Sequence, residues 1–470
     1  MAEERIHQTW VNSDRRVPTR FVRPLLQFTR VESAGGMALL VAAVVALVWA
    51  NAPFGDTYHE FWETVIDFRL GAFHFEQTLH EFVNDGLMTI FFFVVGLEIK
   101  RELVVGDLRD PKAAALPVFA ALGGMVVPAL LYLAIAGGEG GGATRGWGVP
   151  MATDIAFSVG ILSLMGRRAP VGAKLFLLTL AIVDDIGAIA VIAIFYTEDL
   201  FLGWLGAALA GLAVTAIGSR VGIRSLVFYG VVGFATWFFL LESGVHATLA
   251  GVALGFLTPA LAMYSDTEYH DKAQRILARQ EFDMAGPEAA DRVNQNALEV
   301  SAIARESVPP LRRLEEALHP WSSFLVVPLF ALANAGVSFR GVDFVEAATH
   351  PVSLGVAIGL LVGKTVGISA FAFVAVRLGL GKLPRFTTWG HIVGVAAVAG
   401  IGFTVALFVT GLAFNDALLA DRAKTGIFLG SILAGLLGWA VLRSTRPTPS
   451  GRDEPLGEGA QPDSAPARAR

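Results

Sequence analysis

Two adjacent aspartates, Asp184 and Asp185, lie near the middle of an apolar stretch at residues 176–196. The stretch is long enough to cross a bilayer as one helix. A carboxylate at the bilayer centre costs about 2.5–3.5 kcal/mol on insertion scales, so a helix that only spans the membrane would carry none. Neighbouring helical residues point about 100° apart, so one carboxylate can face a cavity and the other a neighbouring helix. The pair predicts an ion or proton site; the structural alternative is a buried pair neutralised by protonation or by a lysine.

The composition of the chain is that of a membrane protein. Of its 470 residues, 54% are hydrophobic and only 16% are charged, whereas soluble domains are about 25% charged. Cysteine is absent, which excludes disulfides and thiol-metal sites. The sequence also lacks a zinc-protease HExxH motif, a Gly-rich phosphate loop and a serine nucleophile elbow. We therefore expect no cofactor, no nucleic-acid partner and no enzyme activity.

About twelve apolar segments of bilayer length follow one another along the chain. They lie at residues 35–52, 84–103, 113–136, 147–164, 175–196, 200–217, 223–241, 244–262, 321–337, 352–376, 388–412 and 425–441. With this assignment, 30 of the 36 Lys and Arg residues fall in loops on one side of the membrane and five on the other. The excess of positive charge marks the cytoplasmic side, so both termini are expected in the cytoplasm.

The remaining parts of the chain are connectors and ends. We interpret residues 1–34 as a cytoplasmic N-terminal segment, with no removable signal peptide, and residues 35–443 as the transmembrane domain. Residues 264–319 are predicted to form a helix-compatible cytoplasmic connector. The Pro-, Gly-, Ser- and Arg-rich residues 444–470 are predicted to be a disordered cytoplasmic tail. A small hairpin is expected near residues 67–75, with Gly71 at its turn.

Two of the apolar segments carry residues that interrupt helices. Proline removes a backbone donor, and glycine weakens a helix. The fourth segment has Gly148, Pro150 and Gly160 around Thr153 and Asp154, and the eleventh has Gly394, Gly400 and Gly402 around Thr404. They are the middle members of segments three to five and ten to twelve, as expected for inverted repeats whose two broken helices cross at mid-membrane. The alternative is that the glycines only allow close packing.

Crossing broken helices bring helix ends together within the membrane. Helix amino ends carry about +0.5 of a charge and carboxyl ends about −0.5. Asp154 is placed to offset the positive ends. Lys364, inside the tenth segment, could offset the negative ends or pair with one of the central aspartates, and the sequence does not choose between these roles.

Together these segments resemble the NhaA family of sodium/proton antiporters. The resemblance covers about residues 30–443. The matching motifs, in order, are NDGLMTIFFFVVGLEIKREL at 84–103, ATDIAFSVG at 152–160, AIVDDIGAIAVIAIFY at 181–196, GVHATLAGV at 244–252, LHPWSSFLVVPLFALANAGV at 318–337, GKTVGI at 363–368 and GIGFTVALF at 400–408.

The resemblance implies roles for the central residues. It makes Asp185 the principal sodium ligand and Asp184 its neighbour, the proton carrier and partner of Lys364. It places Asp154 and Thr153 on the broken fourth segment, where Asp154 compensates the helix ends. The implied function is a pH-regulated antiporter of the inner membrane that exports Na⁺ or Li⁺ in exchange for H⁺, driven by the proton gradient, with more protons than sodium ions per cycle.

A second group of residues is implied in the pH response. Glu98 and Glu102 resemble the cytoplasmic funnel, and His246 and Glu315 match positions linked to pH regulation. Asp85 begins the second segment. From the residues alone, four of these five have a plainer explanation. Glu98 and Glu102, spaced i and i+4 on one helix face, could be a solvated helix end, Asp85 an ordinary first-turn acid, and His246 a packed histidine.

Two other functions compete with antiport. A sodium-coupled organic solute symporter would use a similar broken-helix core. An intramembrane aspartyl protease would use Asp154 and Asp184 as its dyad, but that chemistry has no use for Asp185 or for Lys364. The expected partners of an antiporter are Na⁺, Li⁺, H⁺ and the lipid bilayer, and a homodimer stays open because the sequence does not give the oligomeric state.

Overall fold

A computed structural model describes residues 32–70, 73–197, 200–282, 289–339 and 344–445. Most of the predicted N-terminal segment and tail, and Gly71, lie outside these residues. The helices are α1 Glu32–Asn51, α2 Asp56–Trp62, α3 Leu79–Val104, α4 Pro111–Ala136, α5 Ile155–Leu164, α6 Val171–Phe195, α7 Leu202–Val221, α8 Leu226–Glu242, α9 Thr248–Leu257, α10 Asp266–Phe282, α11 Ala289–Glu306, α12 Pro310–Asn334, α13 Phe344–Thr349, α14 Pro351–Arg377, α15 Trp389–Val398, α16 Phe403–Ala413 and α17 Ala417–Ser444.

The apolar helices account for all twelve predicted segments. In the described part of the chain, nine helical stretches are long and apolar enough to cross a bilayer. The pair α15 and α16, which is bent by 47°, counts as a tenth. The predicted segments at 223–241 and 244–262 correspond to α8 and α9, which are apolar but shorter. The chain is therefore a nearly all-helical, multi-pass membrane protein, in agreement with the predicted all-α class.

Both predicted interruptions are present. In the fourth segment a 3₁₀ helix, Ala143–Met151, contains Pro150 and ends before α5. Residues 152–154 between the two helices are extended or irregular. In the eleventh segment, residues 399–402 separate α15 from α16. A buried helix end without partners is costly in lipid, so the backbone groups freed at these breaks must be satisfied by protein.

The helices α4 and α14 hold the two interrupted segments together. They run antiparallel, because Leu116 lies against Gly381 at one end and Tyr132 against Gly355 at the other. Midway, a Cβ atom on Gly123 would collide with the carbonyl oxygen of Gly367. Backbones can approach this closely only where side chains are absent. This contact brings the preceding turn of α14, which carries Lys364, into the protein interior.

The predicted hairpin is confirmed. Strands β1, Val65–Leu70, and β2, Phe73–Thr78, pair antiparallel, with Val65 opposite Thr78 and Phe68 opposite Phe75. The connector contains α10 and α11, which pack against each other. Its last part belongs to α12, which begins at Pro310, so this span starts within the segment interpreted as connector.

Candidate functional site

The two interrupted segments touch at their breaks. The backbone N–H of Asp154 donates to the carbonyl oxygen of Ile401 at 2.6 Å. The hydroxyl oxygen of Thr153 lies 2.9 Å from the carbonyl oxygen of Ala399. The two broken helices cross at these contacts, and each break supplies hydrogen-bond partners for backbone groups of the other.

Asp154 joins the amino ends of two helices. One carboxylate oxygen accepts from the Phe157 N–H at 3.1 Å, which makes Asp154 the N-cap of α5. The other accepts from the Thr404 N–H at 3.1 Å and from the Thr404 hydroxyl at 2.5 Å, in the first turn of α16. A carboxylate between two helix amino ends complements both positive poles. The structure places Asp154 beside the helix ends that it is predicted to offset, whereas Thr404 had been noted only as part of the break.

Lys364 and Asp184 form a buried ion pair. The ammonium nitrogen of Lys364 lies 2.5 Å from Asp184 Oδ2 and 2.6 Å from the Thr153 hydroxyl oxygen. Thr153 Oγ1 is in turn 2.7 Å from the same Asp184 oxygen. Lys364 is 0% and Asp184 2% exposed. Of the two roles left open by the sequence, the direct contact is with the aspartate; the carbonyl of Ala399 is reached only through Thr153.

Asp185 differs from its neighbour although both lie on α6. It is 7% exposed, and within the described residues no hydrogen bond reaches its carboxyl group. The charged groups that act on it are chiefly Asp184, Glu98 and Lys364. Asp184 Oδ1 is also buried without a hydrogen-bond partner. The pair thus offers three carboxylate oxygens without donors, a chemistry suited to a hard cation or a proton.

A transported ion needs a weaker site than a resident metal. Across the described ranges, no group of three or more His, Cys, Asp or Glu side chains is arranged to hold a metal ion. Two carboxylates can bind an alkali cation with help from backbone oxygens or water, and still release it.

The carboxyl end of α3 carries an acidic cluster with an arginine at its centre. Arg101 forms an ion pair with Glu315 at the start of α12. It also lies 3.2 Å from Glu102. Glu98 is one turn earlier on α3 and acts electrostatically on both Arg101 and Asp185. The structure brings Glu98, Glu102 and Glu315 together around Arg101.

His246 and Asp85 lie at the other end of α3. The backbone carbonyl of Asp85 accepts from the indole N–H of Trp237, near the end of α8, at 3.0 Å. His246 follows α8, and its Nε2 atom is 2.8 Å from the carbonyl oxygen of Tyr196. The 13 residues between Asp85 and Glu98 correspond to about 20 Å along a helix. The residues expected to act in the pH response therefore form two groups, not one.

A network of hydrogen-bonded polar side chains lies beside Asp85, at that end of α3. The Asn334 amide donates to Asn84 Oδ1 at 2.8 Å, and Asn334 Oδ1 is 3.1 Å from His80 Nε2. Asn334 on α12 thus bonds to two residues of α3. His80 was not predicted, and its only signal in the sequence was its spacing of four residues before Asn84.

Comparisons with known proteins agree on one family. The family described as Na⁺/H⁺ antiporter 1 matches residues 26–442. A protein of Syntrophobacter fumaroxidans named Na⁺/H⁺ antiporter NhaA is 45% identical over 441 residues, 92% of this chain and 93% of that protein. Na⁺/H⁺ antiporter NhaA 3 of Frankia alni is 46% identical over 425 residues, 89% of this chain and 88% of that protein. Na⁺/H⁺ antiporter NhaA 2 of Sorangium cellulosum is 44% identical over 445 residues, 94% of each chain.

Proposed function

The chain belongs to the Na⁺/H⁺ antiporter 1 family, and from this premise we propose that it is a secondary antiporter that exchanges Na⁺ for H⁺ at Asp184 and Asp185. One observation carries the assignment of the site. Asp185, a carboxylate to which no described residue donates a hydrogen bond, lies beside Asp184, which is already neutralised by Lys364. Sodium prefers such oxygen ligands.

The exchange follows from competition for the same oxygens. A sodium ion bound between the two carboxylates uses their oxygens without donors, and its charge weakens the attraction of Asp184 for Lys364. Protons bound to the carboxylates exclude sodium in turn, and the two acids titrate as a pair. A site that holds sodium or protons has little net charge, whereas an empty site is charged and expensive to move through the membrane. Alternating access of the loaded site then couples proton entry to sodium exit.

The crossing breaks make such movement possible. Asp154 and Thr153 hold the break of one segment to that of the other, so the helix ends can shift together while their backbone groups stay paired. Thr153 has a single hydroxyl proton, which it can donate either to Asp184 or to Ala399. Lys364 and Thr153 both lie within hydrogen-bond distance of Asp184 Oδ2, so a weaker contact between Lys364 and Asp184 also changes which acceptor the Thr153 hydroxyl bonds.

Several finer properties belong to the proposal. We include Li⁺ as a second substrate, the proton gradient as the driving force and more protons than sodium ions per cycle. The inner membrane is the expected location, with both termini in the cytoplasm because of the excess of Lys and Arg on that side. The protein mass in detergent will show whether a homodimer forms.

The rival functions have less support. Organic solute symport would require sodium to move with its substrate, and the relatives are named Na⁺/H⁺ antiporters. For a protease, Asp154 and Asp184 would have to share a proton. Instead, Asp154 is bonded to Phe157 and Thr404, and Asp184 to Lys364 and Thr153.

The function is tested by ion-driven proton movement in reconstituted vesicles. Purified full-length protein is placed in liposomes with an acidic interior and a fluorescent pH probe. Addition of Na⁺ or Li⁺ outside is expected to release the internal acid, whereas K⁺ or choline is expected to release none. The experiment is repeated across pH. Absence of a sodium response at every pH would overturn the proposal.

We propose that the cluster around Arg101 tunes the pH dependence. Glu98→Gln removes a charge that acts on both Arg101 and Asp185, so the pH of half-maximal activity is expected to move by roughly one unit, the scale of one charge at close range. His246→Ala is expected to move the profile as well, from the opposite end. Both variants should keep a maximal rate near that of the wild type. Profiles that superimpose on the wild type would remove these residues from pH control.

A further inference from the structure

The break between α15 and α16 leaves backbone N–H groups and carbonyl groups within the membrane that no α-helical turn pairs. Contacts from the first interrupted segment satisfy some of them. The Ala399 carbonyl faces Thr153, the Ile401 carbonyl accepts from Asp154, and the Thr404 N–H donates to Asp154. Three further groups of the same break are the carbonyl of Val398, which accepts from the Ile401 N–H at 3.0 Å, and the N–H groups of Gly402 and Phe403.

Two buried serines hydrogen-bond to these three groups. Ser158 on α5 is 0% exposed, and its hydroxyl donates to the Val398 carbonyl oxygen at 3.0 Å. Ser431 on α17 is 6% exposed, and its hydroxyl oxygen lies 3.3 Å from the Gly402 nitrogen and 3.4 Å from the Phe403 nitrogen. One serine therefore supplies a donor to the carboxyl end of α15, and the other an acceptor to the amino end of α16.

We propose that Ser158 and Ser431 are positioning residues for ion exchange, which hold the break so that Asp154 and Thr153 stay in place beside Asp184. This inference rests on the proposed antiport. Neither serine has a hydrogen bond to Asp184 or Asp185 among the contacts of the described residues. They act instead through the geometry of the crossing.

The reason lies in the limited number of polar atoms at the crossing. Because Ser431 accepts from Gly402 and Phe403, one oxygen of Asp154 suffices for α16, and the other remains on the Phe157 N–H of α5. Ser158 gives the Val398 carbonyl a second donor beside the Ile401 N–H. If Ser431 is lost, the freed N–H groups compete for Asp154, and if Ser158 is lost, the second lone pair of the Val398 carbonyl competes for the Thr153 hydroxyl, since buried polar groups seek partners.

The expected consequence is a change in apparent affinity. The oxygens that bind sodium become less well positioned. This weakens sodium binding more than it slows the step in which the loaded site changes sides. Ser158→Ala and Ser431→Ala are each expected to raise the KM for Na⁺ about five- to tenfold, the ratio that one ordinary hydrogen bond supports. The maximal rate should change by less than about twofold, as expected when only binding is weakened.

The chain offers a matched control in Ser353 on α14. It is 0% exposed, and its hydroxyl lies 2.6 Å from the Ala347 carbonyl oxygen and 2.7 Å from that of Arg422. It therefore makes contacts of similar kind away from the crossing. Ser353→Ala is expected to lower the melting temperature in detergent but to leave the KM for Na⁺ unchanged. Ser158→Thr and Ser431→Thr, which keep the hydroxyl, are expected to restore a KM close to the wild-type value.

The test measures KM and maximal rate for Na⁺ in liposomes that contain the full-length protein. Alanine variants that melt like the wild type and have its KM would overturn the inference, as would an equal rise of KM in Ser353→Ala. If an alanine variant does not assemble, Ser158→Cys and Ser431→Cys, whose thiols bond weakly, should give intermediate KM values, and wild-type values would overturn the inference. A wild type without sodium exchange would refute the antiport itself, whereas an active wild type with unaltered variants refutes only the role of the serines.

Discussion

Asp185→Asn is expected to abolish sodium-driven proton movement. The amide has the size of the carboxyl group and keeps one oxygen, but it carries no charge and cannot release a proton. A charged group contributes about 1.5–3 kcal/mol to a hydrogen bond or ligand contact, and 1.36 kcal/mol corresponds to a factor of ten. The loss of the charged ligand alone should therefore lower the sodium response by about 10- to 150-fold, and the loss of the titrating group removes what remains. The variant should insert and melt like the wild type, because no described group bonds to Asp185.

The control for this variant is an aspartate outside the crossing. Asp421 on α17 lies 3.6 Å from Lys424, so Asp421→Asn also removes one negative charge from a membrane helix and weakens an ion pair. It is expected to keep sodium exchange within about twofold of the wild type, as exposed pairs contribute little. Exchange that survives unchanged in Asp185→Asn would exclude Asp185 as a sodium ligand. An equal loss in Asp421→Asn would show that charge removal alone explains the effect.

Lys364→Ala is expected to destabilise the protein more than Glu98→Gln, Asp185→Asn or Asp421→Asn. It leaves Asp184 buried, at 2% exposure, without its cationic partner. Breaking a buried pair by removing one member costs about 3–5 kcal/mol. The melting temperature in detergent should drop clearly, and any remaining exchange should have a shifted pH profile. Lys424→Ala, whose pair is partly exposed, is expected to cost about 1 kcal/mol or less.

A double variant separates stability from transport. In Lys364→Met with Asp184→Asn, both charges are removed together and the site becomes neutral. Replacing a buried ion pair by uncharged groups of similar volume is often neutral or stabilising. Most of the lost stability should therefore return, while sodium exchange should stay absent because Asp184 is a proposed ligand. Wild-type stability and pH profile in Lys364→Ala would show that the contact has no charge-balancing role. Full exchange in the double variant would exclude Asp184 from the ion site.

The sequence predicted most of the fold because hydrophobicity and chain interruptions are local properties. Apolar runs of bilayer length identified the helices, and Gly148, Pro150, Gly400 and Gly402 identified both breaks. Even the hairpin was anticipated. The lengths of α8 and α9 were less well predicted, since neighbouring apolar loop residues extend the hydropathy signal beyond the helix. The sequence placed the start of α12 too late, at residue 321 instead of Pro310, because the first turns of that helix are polar and resemble a connector.

The sequence alone determined that charged groups lie within the membrane, that two helices are broken there, and that the chain resembles sodium/proton antiporters. It did so because a carboxylate or a proline inside an apolar run is costly wherever that run folds. Only the tertiary structure decided the partners. In the structure Lys364 pairs with Asp184, Asp154 hydrogen-bonds to Thr404, and His246 lies apart from Glu98. Such contacts join residues far apart in the chain, so they depend on how the helices pack.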